Sequence, residues 1–184
     1  MMDKRPFGGM KMDIRIETPE DYNQTEAMIR LAFKDELLSD QTEHELVRRI
    51  RNSGAFVPEL SLVAWSEQDG VIGHTLLSKV AIVHEAEVLS LALAPVSVRP
   101  DHQNRGIGRR MINSALERAA DLGFGSVIVL GHPEYYPRFG FVPASRWGIK
   151  APFDVPDDAF MALELIPGAL NGATGVVRYP EAFS

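Results

Sequence analysis

Apolar and polar positions change period several times along the chain, and each change marks an element. Ile14 and Ile16 alternate with polar neighbours over residues 13–17, which predicts a first strand. Thr18-Pro19-Glu20-Asp21 then supplies an N-cap, a first-turn proline and an acidic third residue, the opening of a helix whose buried stripe is Met28, Ile29, Ala32 and Phe33. A second helix is expected over about 42–52, with Leu46, Val47 and Ile50 facing inward and a stop near Ser53-Gly54. Residues 60–65, 71–83 and 88–98 read as strands, the first two joined by a turn at Gln68-Asp69-Gly70. Helical spacing returns at Ile107, Met111, Ile112, Ala115, Leu116, Ala119 and Leu122, ends at Gly123 as the residue after the cap, and gives way to a strand over 126–130.

This order predicts an α/β fold of the α+β kind, with a mixed sheet that is antiparallel early and parallel around the crossover helix. Pro95 interrupts the strand over 88–98 and cannot donate to a ladder, so a bulge or splay is expected there. Residues 143–158, with Trp147, Pro152, Phe153 and Pro156, form a connection long enough to face a ligand. Short strands are expected over 160–166 and 174–179, separated by Pro167-Gly168 and Asn171-Gly172. Met1 to Lys11 reads as a loose leader. No repeat or low-complexity block appears, so residues 12–184 are expected to form a single domain, with 143–184 as its C-terminal extension.

Composition narrows the chemistry. The 184 residues are 45% hydrophobic and 24% charged, ordinary for a soluble globular domain. A net charge of -6 argues against a nucleic-acid partner. With no cysteine, disulfides, thiolate nucleophiles and Cys-ligated zinc are excluded, and the five histidines show no ligand spacing, so no metal is expected. There is neither an apolar run of about 20 residues nor a signal-peptide core, which points to a cytoplasmic protein with no membrane partner.

Against that acidic background, Val96-Ser97-Val98-Arg99-Pro100-Asp101-His102-Gln103-Asn104-Arg105-Gly106-Ile107-Gly108-Arg109-Arg110 runs from a strand through a glycine turn into a helix. The first N–H groups of a helix lack intrahelical partners and carry the positive end of its dipole, so such a turn is a phosphate cradle in sequence form. Arg99, Arg105, Arg109 and Arg110 make the local charge oppose the global one. A tight turn with no ligand is the plain alternative. A dinucleotide fingerprint fits poorly, because Met111 stands at its third glycine, and a Walker loop is excluded by the missing Gly-Lys-Ser/Thr.

Gln103-Asn104-Arg105-Gly106-Ile107-Gly108 resembles the Q/R-x-x-G-x-G/A signature of the GNAT superfamily of N-acetyltransferases, and Tyr136-Pro137-Arg138-Phe139-Gly140-Phe141 resembles the Y-x-x-x-G-F element that closes its core. Residues 130–136 and the tail resemble its YhbS-like branch. The resemblance implies a mostly antiparallel sheet with one splayed parallel strand pair, flanked by helices. It implies acetyl-CoA as co-substrate and an amine-bearing acceptor as partner. Homodimers are common in the family. Carried onto this chain, the cofactor contacts are Val96, Ser97 and Val98 for the pantetheine and carbonyl, and Gln103, Asn104, Arg105, Gly106, Ile107, Gly108 and Arg109 for the pyrophosphate.

Tyr136 stands where many relatives place a tyrosine toward the leaving thiolate; the alternative is a tyrosine packed at a sheet edge, the role expected for Tyr135. Relatives often carry an asparagine seven residues earlier, where this chain has Val129, with Gly131 and His132 nearby as substitutes. For a general base, His74, His84, Glu85, Glu87, His132 and Glu134 are candidates, each expected as an ordinary solvated loop or strand residue. The resulting expectation is transfer of an acetyl or short acyl group to a primary amine. A non-catalytic acyl-CoA sensor is the competing one.

Overall fold

In the computed structural model, which describes residues 11–184, the chain opens with strand β1 (Met12–Ile16). The Asp21 carboxylate then accepts from the Thr18 N–H at 2.8 Å and from both Arg15 guanidinium nitrogens at 2.7 and 2.9 Å, closing one 3-10 turn before helix α1 (Tyr22–Phe33). Helix α2 (Glu43–Arg51) carries glutamates in its first turn and arginines in its last, the arrangement its dipole favours. Strands β2 (Ser61–Ser66), β3 (Gly70–Val83) and β4 (Glu87–Val98) follow as an antiparallel meander. Helix α3 (Ile107–Asp121) leads to β5 (Ser126–Leu130), which lies parallel to β4.

Four strands complete the sheet: β6 (Val142–Pro143), β7 (Ile149–Lys150), β8 (Phe160–Glu164) and β9 (Gly175–Arg178). Its order is β1-β2-β3-β4-β5-β8-β6, and β4–β5 is the parallel neighbour pair on that path. Since β4 holds one edge of the long β3, both β2 and β9 share the other, β2 over Gly70–Leu76 and β9 over Ala81–Val83; β7 pairs with β9. The fold expectation therefore holds, including the parallel pair. The predicted strands end within two residues of those observed. The leader, Met1 to Lys11, lies outside the described residues except for Lys11, and β6 and β7 escaped notice because two residues show no period.

Strand alternation sorts the core by face. On one face α3 buries Ile112, Ala115 and Ala119 against Leu62, Leu77, Leu91, Leu93, Val127 and Val129. Shortening a side chain as enclosed as Ile112 to alanine costs about 2–5 kcal/mol. On the other face, Met28, Ile29, Val47 and Ile50 of α1 and α2 cover Val63 and Leu76. The segment after β5 covers Val80, Ile82, Ala92 and Ile128 with Ala144, Leu170 and Ala173.

Candidate active site

Strands β4 and β5 pair at Leu91 with Val127 and at Ala92 with Ile128, and beyond those positions they part. Thr75 opposes Val96 while Leu77 opposes Leu93, so Ala94 and Pro95 together face Leu76; this is the bulge that Pro95 predicted. Past it, the Arg99 N–H bonds the Ile72 carbonyl of β3 at 2.8 Å. Alternation along an antiparallel strand then turns the peptide edges of Val96 and Val98 away from β3 and into the gap. The Gln103 amide donates to the Val98 carbonyl at 3.1 Å and ties the following turn to the strand end.

A cavity of about 690 Å³ lies on the α3 side of this gap. Val96, Val98, Gln103, Asn104, Gly106, Ile107, Gly108, Arg109 and Tyr136 line it, bringing together most of the expected cofactor contacts. Ser97 does not, because its side chain is buried on the opposite face, and Arg105 is exposed to solvent outside the lining. The first bond inside α3 runs from the Arg110 N–H to the Gly106 carbonyl at 3.1 Å, which leaves the N–H groups of Ile107, Gly108 and Arg109 without intrahelical acceptors. Gly106 sits at φ +77°, where a side chain would be strained, and a Cβ built on it meets no atom within 4 Å. The space a Cβ would fill opens directly before the helix dipole, which fits a pyrophosphate group.

Tyr136 occupies the same cavity. Its ring stands edge-on to Phe141 at 5.9 Å and to Tyr135 at 5.1 Å, and lies so close over Gly131 that a Cβ there would come within 2.9 Å of Cδ2 and 3.3 Å of Cζ. Gly131, at the position considered for a pantetheine contact, is thus the seat of the tyrosine. Among the described residues the Tyr136 hydroxyl forms no hydrogen bond. Burial, with a smaller effect of Tyr135, pushes its pKa up to about 12, so it remains a neutral donor.

The charge around the turn is less free than the sequence suggested. Arg99 is held by Asp101 at 2.8 Å and Asp69 at 3.5 Å, and His102 Nε2–H donates to Asp69 at 3.1 Å. These contacts fasten the glycine turn to the β2–β3 hairpin. Arg109 remains at the cavity wall, joined by two residues that sequence reasoning passed over. Arg138 lies over the Tyr135 ring at 4.3 Å and bonds the Tyr135 carbonyl at 2.8 Å, and Glu36 enters from the α1–α2 connection. Arg138 stood inside the quoted Tyr-Pro-Arg-Phe-Gly-Phe run; Glu36 carries no sequence signal.

On the opposite face of the sheet a second cavity of about 410 Å³ opens against the same gap. Ala92, Ala94, Ile128 and Leu130 form its floor, Leu46 of α2 one wall, and Phe153, Tyr179 and Phe183 its roof. Of the connection over 143–158, Pro152 and Phe153 line this cavity.

Of the suggested bases, His132 lines the larger cavity, whereas His84, Glu85 and Glu134 are exposed and Glu87 pairs with Arg178 at 2.6 Å. His74 corrects the expectation of a solvated residue. It is fully buried and lines neither cavity; its Nε2 lies 3.1 Å from the Ser61 hydroxyl, which donates to Glu17 at 2.6 Å, and Glu17 is paired with Arg51. Burial would raise the Glu17 carboxyl, but His74, Ser61 and Arg51 outweigh it and bring the pKa to about 2. Among the described residues no group of three or more His, Asp or Glu is placed to hold a metal ion, and no helix is long and apolar enough to cross a membrane.

Comparison with known proteins agrees with this geometry. The family model described as acetyltransferase (GNAT) family matches residues 23–141. An uncharacterised N-acetyltransferase of Escherichia coli K12, YhbS, is 31% identical over 173 residues, covering 94% of this chain and 99% of the relative. The crystal structure of Escherichia coli YhbS in complex with CoA matches with a TM-score of 0.85 and 29% identity, over 99% of this chain and 96% of that one. A GNAT family acetyltransferase from Brucella melitensis in complex with acetyl-CoA matches with a TM-score of 0.77 and 32% identity, over 95% of this chain and 99% of that one.

Proposed function

From the premise that this chain belongs to the acetyltransferase (GNAT) family, we propose that it transfers an acetyl or other short acyl group from acetyl-CoA directly to a primary amine. The observation that carries the reading is the pair of cavities on opposite faces of the sheet, each lined by residues of β4 close to where it parts from β5. Acetyl-CoA supplies an acyl group already activated as a thioester. Held from the α3 side, with the acceptor admitted from the other, the two reactants need no covalent enzyme intermediate. This second chamber also favours turnover over a sensor that only binds acyl-CoA.

The residues divide the task. The free N–H groups of Ile107, Gly108 and Arg109 hold the pyrophosphate, Arg109 adds charge, and the exposed peptide edges of Val96 and Val98 align the pantetheine arm and receive the carbonyl oxygen as charge builds on it. The amine nitrogen forms the C–N bond as the C–S bond breaks; one proton leaves nitrogen for solvent and one reaches sulfur. A phenol raised to about 12 is a poor proton donor to a thiolate whose thiol has an ordinary pKa of about 8.5, the full transfer being uphill by about 5 kcal/mol. Tyr136 therefore acts by hydrogen-bonding the departing sulfur, with the final proton drawn from water. Release of free thiol on mixing protein, acetyl-CoA and a panel of amines tests the reading. A protein that binds CoA tightly and releases no thiol with any amine is a binding module instead.

A further inference from the structure

The acceptor chamber has a chemistry of its own. Its lining contains no Asp, Glu, Lys, Arg or His side chain. Phe153 stacks on Tyr179 with centroids 6.1 Å apart and planes at 26°, and Tyr179 meets Phe183 at 5.1 Å, so one wall is a run of aromatic faces. Opposite them stands hydrocarbon from Ala92, Ile128 and Leu130. Leu130 and Phe153 are left 47% and 46% exposed, and both expose that surface at the same chamber. Isolated exposed apolar residues are commonplace; two facing each other across a cavity beside a reaction gap mark a surface made to be covered.

We propose that this chamber receives an arylalkylamine, a primary amine joined by a short carbon tether to a flat aromatic body, and that Phe153, Tyr179 and Phe183 select it. The assignment rests on the acetyl-transfer reading for which end of the molecule faces the gap. The aromatic body lies among the three rings, and the tether passes Leu130 and Ala94 to bring nitrogen to the edge of β4. A polyamine or a sugar amine would surrender its hydration here against walls that offer it no ionisable side chain, a loss apolar contact cannot recover. The same environment prepares the nucleophile. An alkylammonium of ordinary pKa about 10.4 falls by up to about 3–5 units on full burial, which makes the neutral amine abundant near pH 7. That removes the need for a carboxylate or histidine base in the wall.

Calorimetric titration of 2-phenylethylamine, tryptamine and spermidine, into the protein alone and into the protein saturated with CoA, tests the assignment. Both aromatic amines should bind about tenfold or more tightly than spermidine. Phe153→Ala should weaken 2-phenylethylamine about tenfold while leaving CoA affinity within about twofold, since it lies across the sheet from the phosphate turn. Leu130→Ser repeats the test from the other wall. In thiol release, both variants should raise KM for the aromatic amine more than they lower kcat. Spermidine as the preferred ligand, or 2-phenylethylamine affinity unmoved by both substitutions, overturns the assignment and leaves acetyl transfer standing. Aromatic amines that bind in this pattern without any thiol release uphold the assignment and overturn the transfer reading.

Discussion

On one face of the gap between β4 and β5, the groups proposed to hold a reactant are chiefly peptide groups; on the other they are side chains. The proposed cofactor cradle depends on the N–H groups that open α3, the turned-out edges of Val96 and Val98, and an absent Cβ at Gly106. The proposed acceptor chamber depends on Phe153, Tyr179, Phe183 and Leu130. A site made of backbone changes only when the fold changes, whereas a site made of side chains can be refitted by single substitutions. The two faces therefore suit the two reactants, one common to a whole family and the other particular to one protein.

The comparison can be broken most sharply at Gly106. A β-branched side chain there is both strained at φ +77° and aimed into the phosphate space, so Gly106→Val should weaken CoA binding by about 100-fold or more, near 3 kcal/mol. Amine binding across the sheet should persist. Calorimetry on the folded variant measures both, and intact CoA affinity would remove the turn from the cofactor site. Next in size is Tyr136→Phe, which keeps the ring on Gly131 and loses the hydroxyl. As the loss of a hydrogen bond to charge that develops only in the transition state, it should lower kcat by roughly 10–1,000-fold with CoA affinity unchanged, in single-turnover measurements where chemistry limits the rate.

A third change should spare both faces. The Glu17 carboxyl is depressed from 4.5 to about 2, so its stabilisation is complete above about pH 4.5 and is lost as pH falls toward 2, on the order of 3 kcal/mol. Asp21, held first by Arg15 and also brought to about 2, loses its share as pH falls from 3.8 toward 2. Thermal melts of wild type should drop steeply there, and those of Glu17→Gln, lower at neutral pH, should drop less. CoA and amine affinities at pH 7 should match wild type in the folded variant, because the ion pair lines neither cavity. The smallest effect is expected at Arg109. Its guanidinium is exposed and screened, so Arg109→Ala should cost CoA affinity only about 0.5–1 kcal/mol and flatten its salt dependence.

The backbone-made face was largely legible in the sequence, and the side-chain-made face was not. Gly106 permits the left-handed turn and Pro95 cannot donate to a ladder, so the turn and the bulge could be placed without any tertiary contact. Phe153, Tyr179 and Phe183 meet only because β9 brings the last segment back to β3, a pairing between distant residues that no local period encodes. His74 looked like any polar strand residue, for its burial depends on Glu17, just after β1, and Arg51 from α2 arriving on the same side. Arg99 was counted with the phosphate-facing charge because sequence distance hid Asp69.

The parallel contact between β4 and β5 consists of two residue pairs, while β3 and β4 are joined along most of their length. In mechanical terms the sheet has a seam, and the reaction gap is its open end. The chain from β8 to β9 passes over that seam like a strap, anchored to β5 on one side and to β3 on the other. The chamber lies beside that strap, between Ala92 and Ala94 of β4, Ile128 and Leu130 of β5 and the residues that follow β9, so a molecule seated there touches both halves. Amide hydrogen exchange in Val129, Leu130 and the β9 strand should therefore slow when the chamber is occupied, making the acceptor a brace for the halves that it links.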